Sequence, residues 1–327
     1  MVEMMDNYLC LISGEYGMMN NSRIYFMEKI DTVVLQGDLF IMSFDGEERS
    51  YYGWNQVVEK GGNYKSVLVL SYNRSLLLKK KELINSFQEN DWEILEVPRE
   101  QIQFVQSLNK IESLTNANSI TIDISCLRIP HFFLLMKYLK MIYPNKKVNI
   151  INTIPYDYIF GGEPFVSYKS YLGDLELCEI IGFGGVTDFT QEGDLFIFLG
   201  FEGALSLKVV EETVYKNLFL VNTMPSYYQK YKDISVINNY NLLTSKNNRI
   251  LYAPAGNPFE VYNILDREIK DNQPVCIAPL CTKPIALGIC MYALEHSNVR
   301  IVYPVSDTYN DIKSRDVHLS YVYGIDL

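Results

Sequence analysis

At 327 residues, with 48% hydrophobic and 21% charged side chains, the chain suits two domains of about 150 residues and excludes a disordered protein. Its net charge of −10 argues against a duplex nucleic-acid surface, which needs clustered lysine and arginine. No run approaches the ~18 apolar residues of a membrane span. The acidic start MVEMMDNYLC lacks the marks of a secretory leader, so the expected location is the cytoplasm.

Residues 1–36 read as an N-terminal appendage with short strands at Tyr8–Ser13 and Arg23–Phe26. A first half, 37–160, opens on GDLFIMSFDG (37–46). It continues through SVLVLSYNRS (66–75), DWEILEVP (91–98), ITIDISCLRIPHFFLLMKYL (120–139) and VNIINTIPYDY (148–158). A connector, 161–192, holds the most glycine-rich passage of the chain. The second half, 193–327, repeats the order: GDLFIFLGFEG (193–203), NLFLVNTMPS (217–226), NRILYAPAGNP (248–258), VCIAPLCTKPIALGICMYAL (275–294) and VRIVYPVSDTY (299–309). The pentapeptide Gly-Asp-Leu-Phe-Ile starts both halves. Cys126 falls on Cys281, Arg128 on Lys283 and Leu139 on Leu294 at one constant spacing. An internal duplication is the expected origin.

Continuous apolar runs such as Val67–Leu70 and Leu195–Phe198 suit strands covered on both faces. Segments such as Leu76–Gln88 and Pro284–Glu295 carry helical spacing. Strand–helix alternation repeated five times predicts open parallel sheets with right-handed crossovers. The expected fold is α/β: two tandem Rossmann-like halves with mostly parallel sheets.

Ligands of such sheets sit beyond the carboxyl ends of the strands. That edge offers Tyr72, Asn73, Ser125 and Arg128 in the first half, and Glu202, Asn257, Thr282 and Lys283 in the second. The best of these turns is PLCTKP. There a hydroxyl and an ammonium precede a helix with proline in its first turn and small residues at Ala286 and Gly288. Its N–H groups, its dipole and Lys283 would cradle a phosphate. The plainer reading has Thr282 capping the helix and Lys283 solvated.

In the first half, Asp45, Glu47 and Glu48 crowd one turn. Asp45 and Glu48 could hold Mg²⁺, and the three acids with Asp123 could do acid–base work. Equally, Glu47 and Glu48 could complement a helix dipole. The six cysteines form no CxxC pair, and His131, His296 and His318 lack zinc-site spacing. Cys281 could be a thiolate activated by the helix start and Lys283, although its counterpart Cys126 favours inherited packing. The 25 tyrosines could stack nucleobases or bind a partner subunit.

The stretch CTKPIALGICMYAL resembles the Gly-Thr-Lys-Pro-Met helix start of CARF-type Rossmann-like sensor domains and their relatives in bacterial defence. This chain departs from that pattern in having Cys281 where those domains have glycine. The resemblance implies a Thr-Lys loop facing a nucleotide second messenger. Three functions stay open. The first is a nucleotide- or phospholigand-binding sensor subunit acting on a partner protein or on itself. The second is a metal-assisted phosphohydrolase or transferase, and the third is an interaction subunit without a ligand.

Overall fold

In each half the repeated Gly-Asp-Leu-Phe-Ile run opens a central strand, β3 (Gln36–Phe44) or β9 (Asp194–Phe198), in the computed structural model of the chain. The structure describes residues 16–17, 24–87, 92–159, 175–184, 193–270, 273–305 and 314–327. The strand expected at Tyr8–Ser13 lies outside these, as does most of the glycine-rich connector. The repeated Gly-Asp pair has a local cause. A Cβ on Gly193 would sit 2.2 Å from the Pro274 carbonyl oxygen, and one on Gly37 would sit 2.9 Å from Ser119 Oγ. The amide of Asp38 donates to the Ser119 carbonyl, and that of Asp194 to the Pro274 carbonyl (3.2 and 3.1 Å). The pair therefore anchors each central strand to the residue that leads into its later neighbour.

The first chain segment supplies β1 (Tyr16–Gly17), β2 (Ile24–Lys29), β3, α1 (Arg49–Glu59), β4 (Asn63–Ser71), α2 (Arg74–Lys80) and β5 (Trp92–Glu96). Next come α3 (Gln101–Leu108), α4 (Glu112–Asn116), β6 (Ile120–Asp123), α5 (Ile129–Ile142) and β7 (Lys147–Tyr158). The second half holds β8 (Glu176–Glu179), β9, α6 (Gly203–Glu212), β10 (Asn217–Thr223), α7 (Gln229–Asn238), α8 (Tyr240–Leu243) and β11 (Asn248–Ala253). It continues with α9 (Pro258–Glu268), β12 (Val275–Pro279), α10 (Lys283–Glu295) and β13 (Val299–Val305), and the chain closes on β14 (Ser314–Asp326).

The architecture is α/β, with two mostly parallel sheets. One has the order β1-β2-β14-β7-β6-β3-β4-β5, the other β11-β10-β9-β12-β13-β8. Within each, five parallel strands share one arrangement: third, second, first, fourth, fifth. The antiparallel additions are β14, β2 and β1 in the first sheet and β8 in the second.

Two units divide the chain differently from the expected boundaries. One contains Met1–Leu127, Tyr138–Tyr158 and Ser314–Leu327; the other contains Arg128–Lys137 and Ile159–Lys313. The last strand thus belongs to the first sheet, although the sequence reading left 314–327 with the second half. The reason is the length of β7, whose 12 residues offer a full antiparallel edge to the 13 of β14. The supposed appendage is a sheet edge, since β2 pairs with β14. The connector likewise contributes β8 to the second sheet.

Cores form where one sheet face meets its helices. In the first unit Phe40, Met42 and Phe44 of β3 pack with Val67, Val69, Trp54 and Val57. Trp54 meets the Phe40 and Trp92 rings edge-on at 4.9 and 5.3 Å. In the second, Leu195, Ile197, Leu218 and Leu220 close over Val209 and Leu242. Each such side chain, fully buried, contributes roughly 1.5–3 kcal/mol. Helix α10 is buried on every side from Pro284 to Ala293, which suits its nearly unbroken apolar sequence.

Gly288 explains how α10 fits. A Cβ there would lie 2.2 Å from the Pro258 carbonyl oxygen and 2.7 Å from Val261 Cβ, both on α9. The glycine serves helix–helix contact, not close approach of a ligand. Gly288→Ala should therefore destabilise the second unit by about 1–3 kcal/mol, the usual cost of overpacking. A urea midpoint equal to that of the wild type would refute this account.

Candidate functional site

Between β3 and β6, and again between β9 and β12, the direction of strand addition reverses. Loops from adjacent strand ends diverge there, so polar groups gather at these two points.

In the first unit β3 ends at Phe44 and the chain turns through Gly46, whose φ of +100° favours glycine. The turn is pinned by Lys80 Nζ, which donates to the Gly46 carbonyl at 2.7 Å. Asp45 accepts from Ser50 Oγ at 2.7 Å and from the Glu47 amide at 3.1 Å. Glu47 is only 2% exposed. Its Oε2 accepts from Arg49 Nη2 at 2.6 Å and Arg49 Nε at 3.0 Å, and Ser314 Oγ donates to the same oxygen. Arg49 Nε also reaches Ser314 Oγ at 3.0 Å, and the guanidinium lies 5.9 Å from the Tyr158 ring centre. Burial works against the Arg49 charge, but Glu47, together with Cys126 and Tyr158, more than offsets it and holds the guanidinium protonated.

Asp123 ends β6 and is 2% exposed. Its Oδ1 accepts from the Ser125 amide at 2.9 Å and from the Ser125 hydroxyl. Ser125 Oγ in turn accepts from the Thr153 amide of β7 at 2.7 Å. Its Oδ2 has no hydrogen-bond partner among the described residues. That oxygen faces Gly53 of α1, where an added Cβ would come within 2.3 Å of it. Burial pushes the Asp123 carboxyl up to about 7, against the pull of the Ser125 donors and of Arg49. Burial also raises the Cys126 thiol and the Tyr158 phenol.

The structure thus brings Asp45, Glu47, Asp123 and Ser125 to one polar cluster, while Glu48 stands exposed outside it. Glu47 is neither an open general base nor helix-end decoration, because its charge is spent on Arg49. Asp45 is occupied by Ser50 and the turn backbone. Among the described residues no group of three or more His, Cys, Asp or Glu is placed to hold a metal ion. Sequence reasoning missed Ser314, which lies 267 residues along the chain from its partner Glu47.

Of the other first-half candidates, Tyr72 is half-buried, and Asn73 caps α2 by accepting from the Leu76 amide at 3.0 Å. Arg128 is half-buried at the start of α5. In the second unit Asn257 caps α9, accepting from the amides of Phe259 and Glu260 at 3.0 and 3.2 Å. Glu202 is half-buried ahead of α6. Thr282 does not cap α10. Its hydroxyl donates to the Ala255 carbonyl at 2.8 Å, tying the turn after β12 to the turn after β11. Lys283 follows, half-buried. The two loops at the β9/β12 reversal pack backbone to backbone, since a Cβ on Gly200 would lie 2.0 Å from the Leu280 carbonyl oxygen. Burial pushes the Cys281 thiol well above its ordinary range, and Lys283 does not reverse this. A packed thiol, not an activated thiolate, occupies that position.

No family model matches the chain, and neither does any curated protein. Solved structures with similarity include a universal stress protein from Archaeoglobus fulgidus DSM 4304, at 11% identity and a TM-score of 0.24, covering 84% of this chain and 97% of that one. A functionally unknown protein from Pseudomonas aeruginosa PAO1 has 7% identity and a TM-score of 0.26, with 84% and 93% covered. The cytoplasmic domain of a prokaryotic cation chloride cotransporter has 11% identity and a TM-score of 0.23, with 83% and 96% covered. Among the described residues no helix is long and apolar enough to cross a membrane.

Two outcomes follow from the cluster. Glu47→Gln should cost roughly 3–5 kcal/mol, because it strands a buried guanidinium. Glu48→Gln should stay within about 0.5 kcal/mol. Equal losses for the two, by denaturant unfolding, would contradict the burial difference.

The second outcome concerns pH. An unfolded aspartate titrates near ~3.9, and Asp123 in the fold near about 7. Between these values the folded chain keeps a proton that the unfolded chain releases, so this group's contribution falls as pH rises toward about 7 and then levels off. The slope is at most about 1.4 kcal/mol per pH unit. Asp123→Asn should remove it, and the difference between the two stability–pH curves isolates it from other carboxylates. Parallel curves would place the Asp123 titration outside that window.

Proposed function

We propose that the chain is a ligand-responsive regulatory protein that binds a nucleotide or other phosphorylated small molecule at the β9/β12 reversal and passes the event to a protein partner or a second copy. The observation that carries this reading is the start of α10. Thr282 turns its hydroxyl to Ala255, so the side chain at the N-cap position makes no hydrogen bond to its own helix. First-turn N–H groups and the positive end of the helix dipole then favour an anion at that edge. Lys283 adds a cation at the same turn. Gly200, which lets the β9 and β12 loops touch, leaves this edge built of backbone, which suits phosphate oxygens.

The Thr-Lys-Pro resemblance to CARF-type sensors makes nucleotide second messengers the first ligands to try, and bacterial defence the first setting. The matching strand order of the two sheets supports reading the halves as an internal duplication. The metal-assisted enzyme reading has less support, because the Glu47 charge is committed to Arg49 and Glu48 stands apart.

Thermal shift and calorimetry on the full chain, with linear and cyclic nucleotides and with inorganic phosphate, each with and without Mg²⁺, would test the proposal. Stabilisation by a phosphorylated ligand, without its turnover, is the expected result. Lys283→Ala should weaken that binding by about tenfold, the scale of one charge-assisted hydrogen bond. Its unliganded melting temperature should stay near that of the wild type. Silence across the panel, or equal affinity in the variant, would overturn the reading.

A further inference from the structure

The Asp123 Oδ2 is a buried acceptor with no hydrogen-bond partner, aimed at α1, while a buried cation on the same helix is held elsewhere. Arg49 and Gly53 are one turn apart and so share a face of α1. Gly53 gives Asp123 its space, and Arg49 acts on Asp123 through its charge. At present Arg49 is committed to Glu47 Oε2 and Ser314 Oγ. Ser314 is the first residue of β14, and an irregularity in the β7–β14 register at Val317/Leu319 separates this start from the regular pairing that follows.

We propose that Arg49 is a shared cation that leaves Glu47 and Ser314 for Asp123 Oδ2 when Asp123 loses its proton, releasing the start of β14. Two arrangements of buried charge compete. With Asp123 neutral, its Oδ2 lies against the Gly53 backbone and needs no counter-ion, and Arg49 stays with Glu47. An ionised Asp123 in the same place is a buried charge with two donors on one oxygen and no counter-ion on the other, which is costly. Arg49 is the cation on the facing helix that can answer it.

Among the described residues, the other elements near Asp123 and Arg49 offer no substitute cation. The turn before α1 brings Asp45 and Glu47, both acids. The loop after β6 brings Ser125, already donating to Oδ1, and the Cys126 thiol. From β7 come Ile151 and Thr153, while the Tyr158 phenol and Ser314 lie against Arg49. Moving Arg49 removes the guanidinium from the Ser314 hydroxyl and takes the counter-charge from Glu47. The tie between the β3–α1 turn and the first residues of β14 then loosens. The device couples proton concentration to the order of one strand end, and it is independent of any ligand at α10.

Hydrogen exchange of the full-length protein, followed by mass spectrometry from pH 5.5 to 8.5 and corrected for intrinsic exchange, reads this directly. In the wild type, protection of peptides covering 314–319 should fall by at least tenfold across the range, while peptides covering 321–326 stay constant. Asp123→Asn, which keeps the carboxyl neutral, should hold 314–319 protected throughout. The wild-type measurement stands by itself if the variant fails to fold, and flat protection at 314–319 would overturn the proposal. So would a variant that folds and keeps the wild-type step, or a step of equal size over the whole of β14.

Discussion

The reversal of strand order beside the central strand governs both units. A parallel sheet that grows first to one side of its opening strand and then to the other must bring two loops apart at one place. Everywhere else along the carboxyl edge, consecutive crossovers cover the strand ends. The repeated Gly-Asp pair fixes this geometry from the opposite end, because it ties β3 to Ser119 and β9 to Pro274 before either neighbouring strand begins. A side chain at either glycine would push the two strands apart and with them the reversal.

The two units fill their reversals with opposite chemistry. In the first, the gap is closed by the protein's own charges: Arg49, Glu47 and Ser314 satisfy one another, and Ser125 satisfies half of Asp123. Buried ion pairs seldom repay the full cost of leaving water. Their value here lies in position, because Arg49–Glu47 is the contact that reaches across to the strand arriving last in the chain. In the second unit the corresponding loops are joined by backbone contacts at Gly200 and by Thr282 to Ala255. No counterpart of the Glu47–Arg49 pair stands there, since Ala204 and Leu205 follow Gly203.

The succession of elements along the chain and their types were legible because each element is announced by local signals. Continuous apolar runs such as Val67–Leu70 and Leu195–Phe198 gave the parallel strands, and Asn257-Pro258 gave the start of α9. What was not legible depends on partners far along the chain. Strand β14 carries no repeat signal, and its place beside β7 follows from an edge that only the assembled sheet possesses. Asp45, Glu47 and Asp123 could be nominated as neighbours because they end adjacent strands. Which acid would be buried and which exposed could not, since Glu47 and Glu48 differ only in the direction they take at the head of α1.

The same reasoning separates capping from ligand binding. Asn257 and Thr282 are both hydroxyl- or amide-bearing residues set just before a proline-containing helix start, and sequence treats them alike. The structure does not. Asn257 spends its side chain on its own helix, which leaves that helix end satisfied and without need of an external anion. Thr282 spends its hydroxyl on a neighbouring loop and makes no bond to its own helix. This end is half-buried, carries Lys283 and stands where the β9 and β12 loops touch. The two helix starts therefore differ by one choice of acceptor: Asn257 turns inward to its own helix, and Thr282 turns outward to the loop after β11.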